Sequence, residues 1–123
     1  MSVRLRRIYE PPEPDDGVRI LVDRLWPRGL KKEDAHIDAW LRDVAPSSDL
    51  RRWFGHDAGR WSDFRARYRA ELQEPERAAD LQRLVDEARK GPVTILCAAH
   101  DLEQSNGAVI RDLIAERLGQ PAA

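Results

Sequence analysis

Two short, almost wholly apolar runs constrain this chain more than any other feature: "ILV" at residues 20–22, inside "VRILVD", and "VTILCAA" at 93–99. A strand that is apolar at consecutive positions presents apolar side chains to both faces, so it belongs in the middle of a sheet covered on each side. Residues 23–92 separate the two runs, and they carry helical rather than alternating periodicity. Two buried strands joined by a long helical crossover are expected to pair in parallel.

The remaining elements follow from the same patterns. "VRLRRIYE" alternates Val3 and Leu5 with Arg4 and Arg6, which predicts a half-exposed edge strand. "PPEPDDG" then breaks the chain, and this short link predicts an antiparallel pairing with "VRILVD". Ile37, Trp40, Leu41 and Val44 fall at helical spacing, with Asp34 as the expected cap. "APSSDLRRWFG" predicts a short helix capped by Ser47 or Ser48 and ended by Gly55. Trp61, Phe64, Tyr68 and Leu72 mark a third helix; Leu81, Leu84, Val85 and Ala88 mark a fourth that stops at "KGP". A final helix buries Val109, Leu113, Ile114 and Leu118, with Asp101 and Gln104 spaced as a capping box. The expected fold is a single α/β domain over residues 1–123. It has a small mixed three-stranded sheet surrounded by about five helices.

Charge narrows the function. The formal net charge of -1 argues against a generic nucleic-acid binder, although residues 50–69 hold six arginines, at 51, 52, 60, 65, 67 and 69. The single cysteine, Cys97, excludes an internal disulfide and a cysteine-based zinc site. "MSVRLRRIYE" has no apolar signal core and no run approaches a membrane span, so the expected location is cytoplasmic.

The candidate site follows from the topology. Ligands of open α/β sheets sit beyond the carboxyl ends of parallel strands. Here those ends, after strands 18–23 and 93–99, are "DRLWPRGLKK" and "CAAHDLEQSN", whose polar residues would face one crevice. Arg24 and Arg28 can bind an anion bidentately and Trp26 can pack on it, with Asp23 orienting the arginines or accepting a proton. The structural alternative is an ion pair that fixes the turn. Lys31 and Lys32 are expected to lie solvated before the helix. His56 and His100 are the candidate acids or bases if chemistry occurs. Asp57 is expected to cap the third helix, and a histidine beside a cap can equally be structural. His36, His56 and His100 lack any metal-binding spacing, so neither a metal nor a cofactor is expected.

Cys97 lies inside a buried strand, where a thiol is inert packing. A phosphatase-like loop would need an arginine where Glu103 stands. The aromatic set Trp40, Trp53, Phe54, Trp61, Phe64 and Tyr68 reads as core. No GxGxxG or GxxxxGK[ST] motif occurs.

"VDRLWPRG", "APSSDLRRWFGHD" and "VTILCAAHDLEQSNGAVI" together resemble the YeaO-like proteins, small bacterial members of the domain of unknown function 488 family. The resemblance runs from Arg7 to about Leu118. It implies an α/β fold and brings no established activity. The broader family often ends its last strand with "LLC", then a Cys-His-Arg segment opens the final helix. This chain keeps Leu96 and Cys97 but has Gln104, Ser105 and Asn106 at the later place.

The expected function is binding of a small anionic molecule, with catalysis left open. One alternative is a nucleic-acid-associated or regulatory module using the arginines of residues 51–69. Another is a protein-interaction module anchored by Trp26 in the "LWPRG" turn. An open sheet edge would also allow a homodimer.

Overall fold

The structure, a computed structural model, describes residues 3–119. Four strands form one sheet: β1 (Val3–Arg7), β2 (Val18–Leu21), β3 (Ala39–Trp40) and β4 (Val93–Cys97). Their order is β1-β4-β2-β3, and every pairing is parallel. The α-helices are α1 (Lys32–Ala35), α2 (Ser48–Phe54), α3 (Trp61–Glu71), α4 (Pro75–Lys90) and α5 (Asn106–Arg117).

The apolar runs sit where their composition requires. β4 is buried at every position and lies between β1 and β2, while β2 lies between β4 and β3. The parallel pairing of β2 with β4 is as expected, and β1 is an edge strand.

Two expectations about the sheet are corrected. It has four strands and is wholly parallel, so it is neither three-stranded nor mixed. β1 does not pair with β2, because β4 is inserted between them. The link between β1 and β2 must therefore run back to the starting end of the sheet. Ten residues, at roughly 3.3 Å each, can span the length of a five-residue strand. The return is fixed by buried Asp16, whose carboxylate accepts hydrogen bonds from Arg6, Arg19 and the Glu13 N–H. The Thr94 hydroxyl donates to the Asp16 carbonyl at 2.7 Å. Gly17 follows with φ of 65°, and a Cβ there would stand 2.1 Å from the Pro92 carbonyl oxygen, so only glycine fits.

The third strand replaces a predicted helix. α1 stops at His36, whose φ of 51° is left-handed. The chain then extends: Asp38 N–H donates to the Arg19 carbonyl at 2.7 Å and Leu41 N–H to the Leu21 carbonyl at 2.9 Å. Asp34 lies inside α1 and caps nothing at residues 37–44. Ile37, Trp40, Leu41 and Val44 match helical spacing over too few residues for the pattern to outweigh an available sheet edge.

The other helices follow their patterns. Ser47 caps α2 and Gly55 ends it in the left-handed conformation. Phe64, Tyr68 and Leu72 turn inward from α3, as do Leu81, Leu84, Val85 and Ala88 from α4. Phe54 stacks on Phe64 with ring centroids 4.4 Å apart. The buried Tyr68 hydroxyl donates to the Val44 carbonyl at 2.6 Å. Each large apolar side chain fully buried this way contributes about 1.5–3 kcal/mol. Asp101 does not cap the final helix: it caps a 3-10 turn at Leu102–Gln104, and Ser105 caps α5.

Candidate functional site

Asp23 stands just past the end of β2. Its Oδ2 accepts the Ala98 N–H at 2.8 Å, and Ala98 is the first residue past β4. Asn106, the first residue of α5, donates its side-chain amide to the Val22 carbonyl at 3.1 Å, and the same amide favours the ionised form of the neighbouring Asp23 carboxyl. Two strand exits and one helix start are thereby tied together. α2 supplies the facing wall through Arg51 and Phe54, and the loop after it adds His56. Between these surfaces lies a cleft of about 730 Å³. That falls within the roughly 300–1,000 Å³ of small-molecule sites.

The cleft joins a half-buried carboxyl with an underused cation. Burial raises the proton affinity of Asp23, countered by the Ala98 N–H, the Asn106 amide and the charge of Arg51. No ion pair links Asp23 to Arg51 among the described residues. Arg51 Nη2 donates to Ser48 Oγ at 3.1 Å, while its Nε is buried without any partner. Much of the remaining wall is apolar, including Leu25, Pro46, Phe54, Phe64 and Ala98.

The structure places Asp23, Arg24, Trp26, Arg28, His56 and His100 around this one cleft. Arg24 is exposed and forms a 3.6 Å ion pair, with Asp43 and not Asp23. Trp26 is half-buried; its indole N–H donates to the Leu30 carbonyl at 2.6 Å, and its ring meets Trp40 edge-on at 5.4 Å. Leu25 beside it is 70% exposed, so the solvent-facing apolar residue of the turn is the leucine. Arg28 is exposed and its carbonyl accepts the Tyr9 hydroxyl at 2.9 Å. No hydrogen bond or ion pair engages the Arg28 guanidinium among the described residues.

His56 is exposed with φ of 57°, directly after Gly55 at 52°. Two consecutive left-handed residues reverse the chain after α2 and hold the imidazole at the rim. Histidine is among the non-glycine residues enriched in that region. Asp57 then accepts the Gly59 N–H at 2.9 Å, capping the short 3-10 turn that leads into α3. His100 is exposed and lines the same cleft.

Cys97 lies beneath the floor. Its thiol is pushed up to about 11 by burial and by the nearby Asp23 charge, and its Sγ is 3.5 Å from Ser105 Oγ. A thiol so placed is packing and not a nucleophile. Among the described residues no three His, Cys, Asp or Glu side chains gather where a metal could bind, and no helix is long and apolar enough to cross a membrane.

Sequence reasoning missed Arg51 and Asn106. Arg51 was legible as one of six clustered arginines but not as a cleft residue. The available signal was its position three residues before buried Phe54, on the same helical face. Asn106 closes the "CAAHDLEQSN" segment that topology assigns to the crevice, but nothing in the sequence singles it out there.

Relatives extend over nearly the whole chain. A family model described as "Inactive DUF488-N3 subclade" matches residues 2–122. The uncharacterized protein YeaO of Escherichia coli (strain K12) is 42% identical over 112 residues, covering 91% of this chain and 96% of the relative. An uncharacterized protein of Mycobacterium tuberculosis (strain ATCC 25618 / H37Rv) is 41% identical over 115 residues, covering 94% and 95% respectively. No solved structure matches the chain. On this evidence the chain is a YeaO-like member of the DUF488 family, within the branch described as its inactive N3 subclade.

Proposed function

We propose that this protein binds a small molecule through an anionic group, in the cleft beyond the carboxyl ends of β2 and β4. The observation that carries this is Arg51 Nε, a buried cationic donor without an acceptor. Leaving such a donor unpaired costs about 1–3 kcal/mol or more, and the side chain that carries it lines the cleft. A guanidinium also matches the two oxygens of a carboxylate or phosphate. Arg28, with an uncommitted side chain, and Arg24, only loosely paired, add positive potential at the mouth.

Asp23, His56 and His100 are the groups that would move protons if turnover occurred. The family's description as inactive favours binding without turnover. The arginine run supports a discrete cleft over a phosphate-tracking face, because Arg52 pairs with Asp49, Arg60 with Asp57 and Arg69 with Glu116. Trp26 has its indole N–H tied to its own loop, which makes it a poor free anchor for a protein partner.

A thermal-shift screen tests the reading, using carboxylates, phosphates and short oligonucleotides on wild type and on Arg51→Met. A ligand at 100 times its dissociation constant adds about 2.7 kcal/mol, or several degrees in a chain of this size. The expected result is a small-anion shift that Arg51→Met abolishes. Shifts from oligonucleotides alone, unchanged in the variant, would transfer the function to the arginine-rich face and end this proposal.

A further inference from the structure

We infer that the cleft is built for a zwitterion: a free amino acid with an apolar side chain, its carboxylate on Arg51 and its ammonium on Asp23. The inference rests on the anion-binding reading and specifies the ligand of that same site. It starts from an unusual pairing. Asp23 and Arg51 line one cleft, close enough for the arginine's charge to act on the carboxyl, yet no ion pair joins them. Each is held by a separate partner. The Ala98 N–H fixes Asp23, while Ser48 Oγ fixes Arg51. Neither anchor saturates its group. A carboxylate has about four acceptor positions, and the Arg51 Nε still lacks a partner.

A simple anion answers only half of this arrangement. It would satisfy Arg51, but it would then sit beside the Asp23 carboxylate, and like charges in a partly desolvated site repel strongly. A molecule with an adjacent ammonium converts that repulsion into a second charge-assisted hydrogen bond. The α-carboxylate and α-ammonium of an amino acid supply both charges on one small frame. The cleft, at about 730 Å³, is also too large for two charged groups alone. Its surplus wall is apolar, with Phe54, Phe64, Pro46 and Leu25 offering surface to a hydrophobic side chain.

Isothermal titration of the full chain separates this from plain anion binding. The probes are L-phenylalanine and L-leucine, 3-phenylpropanoate (the carboxylate without the ammonium), phenethylamine (the ammonium without the carboxylate) and inorganic phosphate. The expected result is binding of at least one amino acid, at least tenfold weaker for the analogues lacking either charge. Asp23→Asn, nearly isosteric, should bring L-phenylalanine and 3-phenylpropanoate to equal affinity. Arg51→Met should remove the advantage over phenethylamine, and melting curves of both variants check that each is folded. If 3-phenylpropanoate or phosphate binds wild type as well as the amino acids do, and Asp23→Asn changes nothing, the zwitterion inference is wrong while anion binding stands. If no carboxylate or phosphate binds wild type, both fall together.

Discussion

Asp23 and Ala98 lie 75 positions apart in the chain, yet the carboxylate of one accepts the backbone N–H of the other at 2.8 Å. This bond joins the exits of the two central strands and fixes the floor of the cleft. The Asn106 amide, reaching the Val22 carbonyl, adds the start of α5 to the same junction. The residue that holds the junction closed is thus also a carboxyl that lines the cleft.

That double role makes two substitutions at Asp23 diverge. Asp23→Ala leaves the Ala98 N–H without its acceptor and should cost about 1–3 kcal/mol. Asp23→Asn keeps an oxygen for that bond and removes a charge that burial disfavours. A carboxyl whose proton affinity is raised on folding favours the folded state most when protonated, and this contribution is lost as pH rises through its folded value. At neutral pH Asp23→Asn should therefore melt above wild type. The gap should narrow as pH falls and the wild-type carboxyl takes up its proton. Melting temperatures of the three proteins between pH 4 and 8 check this; an Asn variant less stable than wild type at neutral pH would refute it.

Asp16 shows the opposite sign. Burial opposes its ionisation, but the Glu13 N–H, Arg19 and Arg6 outweigh that and hold the carboxyl below its ordinary range. Its contribution is present above the usual aspartate value of about 3.9 and lost as pH falls through the lower folded value. Asp16→Ala should cost about 3–5 kcal/mol at pH 7, since it strands the buried Arg19 guanidinium. Urea titrations at pH 7 measure that loss. Below about pH 4 the wild type should approach the variant; a constant gap down to pH 2 would exclude the linkage.

Cys97 should be chemically silent while the protein is folded. With the thiol pushed up to about 11, fewer than about one in a thousand is ionised at pH 7.5, and burial blocks access as well. Iodoacetamide should label it only after denaturation. Rapid labelling of the native protein would mean that β4 opens or that the thiol is activated.

The elements legible in the sequence are those whose burial is continuous. Ile20–Val22 and Val93–Cys97 are legible because two-sided burial leaves no charged position and only Thr94 as a polar one, and their shared direction follows from the helices between them. Link length is a poor guide to direction here: residues 8–17 return along the sheet instead of turning at its end. Ala39–Trp40 was hidden because two strand residues have no period of their own. At the cleft, strand-end residues could be found by topology alone. Arg51 could not, since its role depends on where α2 packs and not on its neighbours in sequence.

The order β1-β4-β2-β3 also sets a timetable for synthesis. Among the described residues β4, at residues 93–97, is the only neighbour of β1 and the inner neighbour of β2. As the chain leaves the ribosome, β1 has nothing to pair with until most of the described residues have been made. The sheet closes late, by insertion of its most apolar strand between two waiting ones. Pairings so distant in sequence are slow to form and expose strand edges meanwhile. The nascent chain, more than the finished fold, is where this protein is most exposed to aggregation.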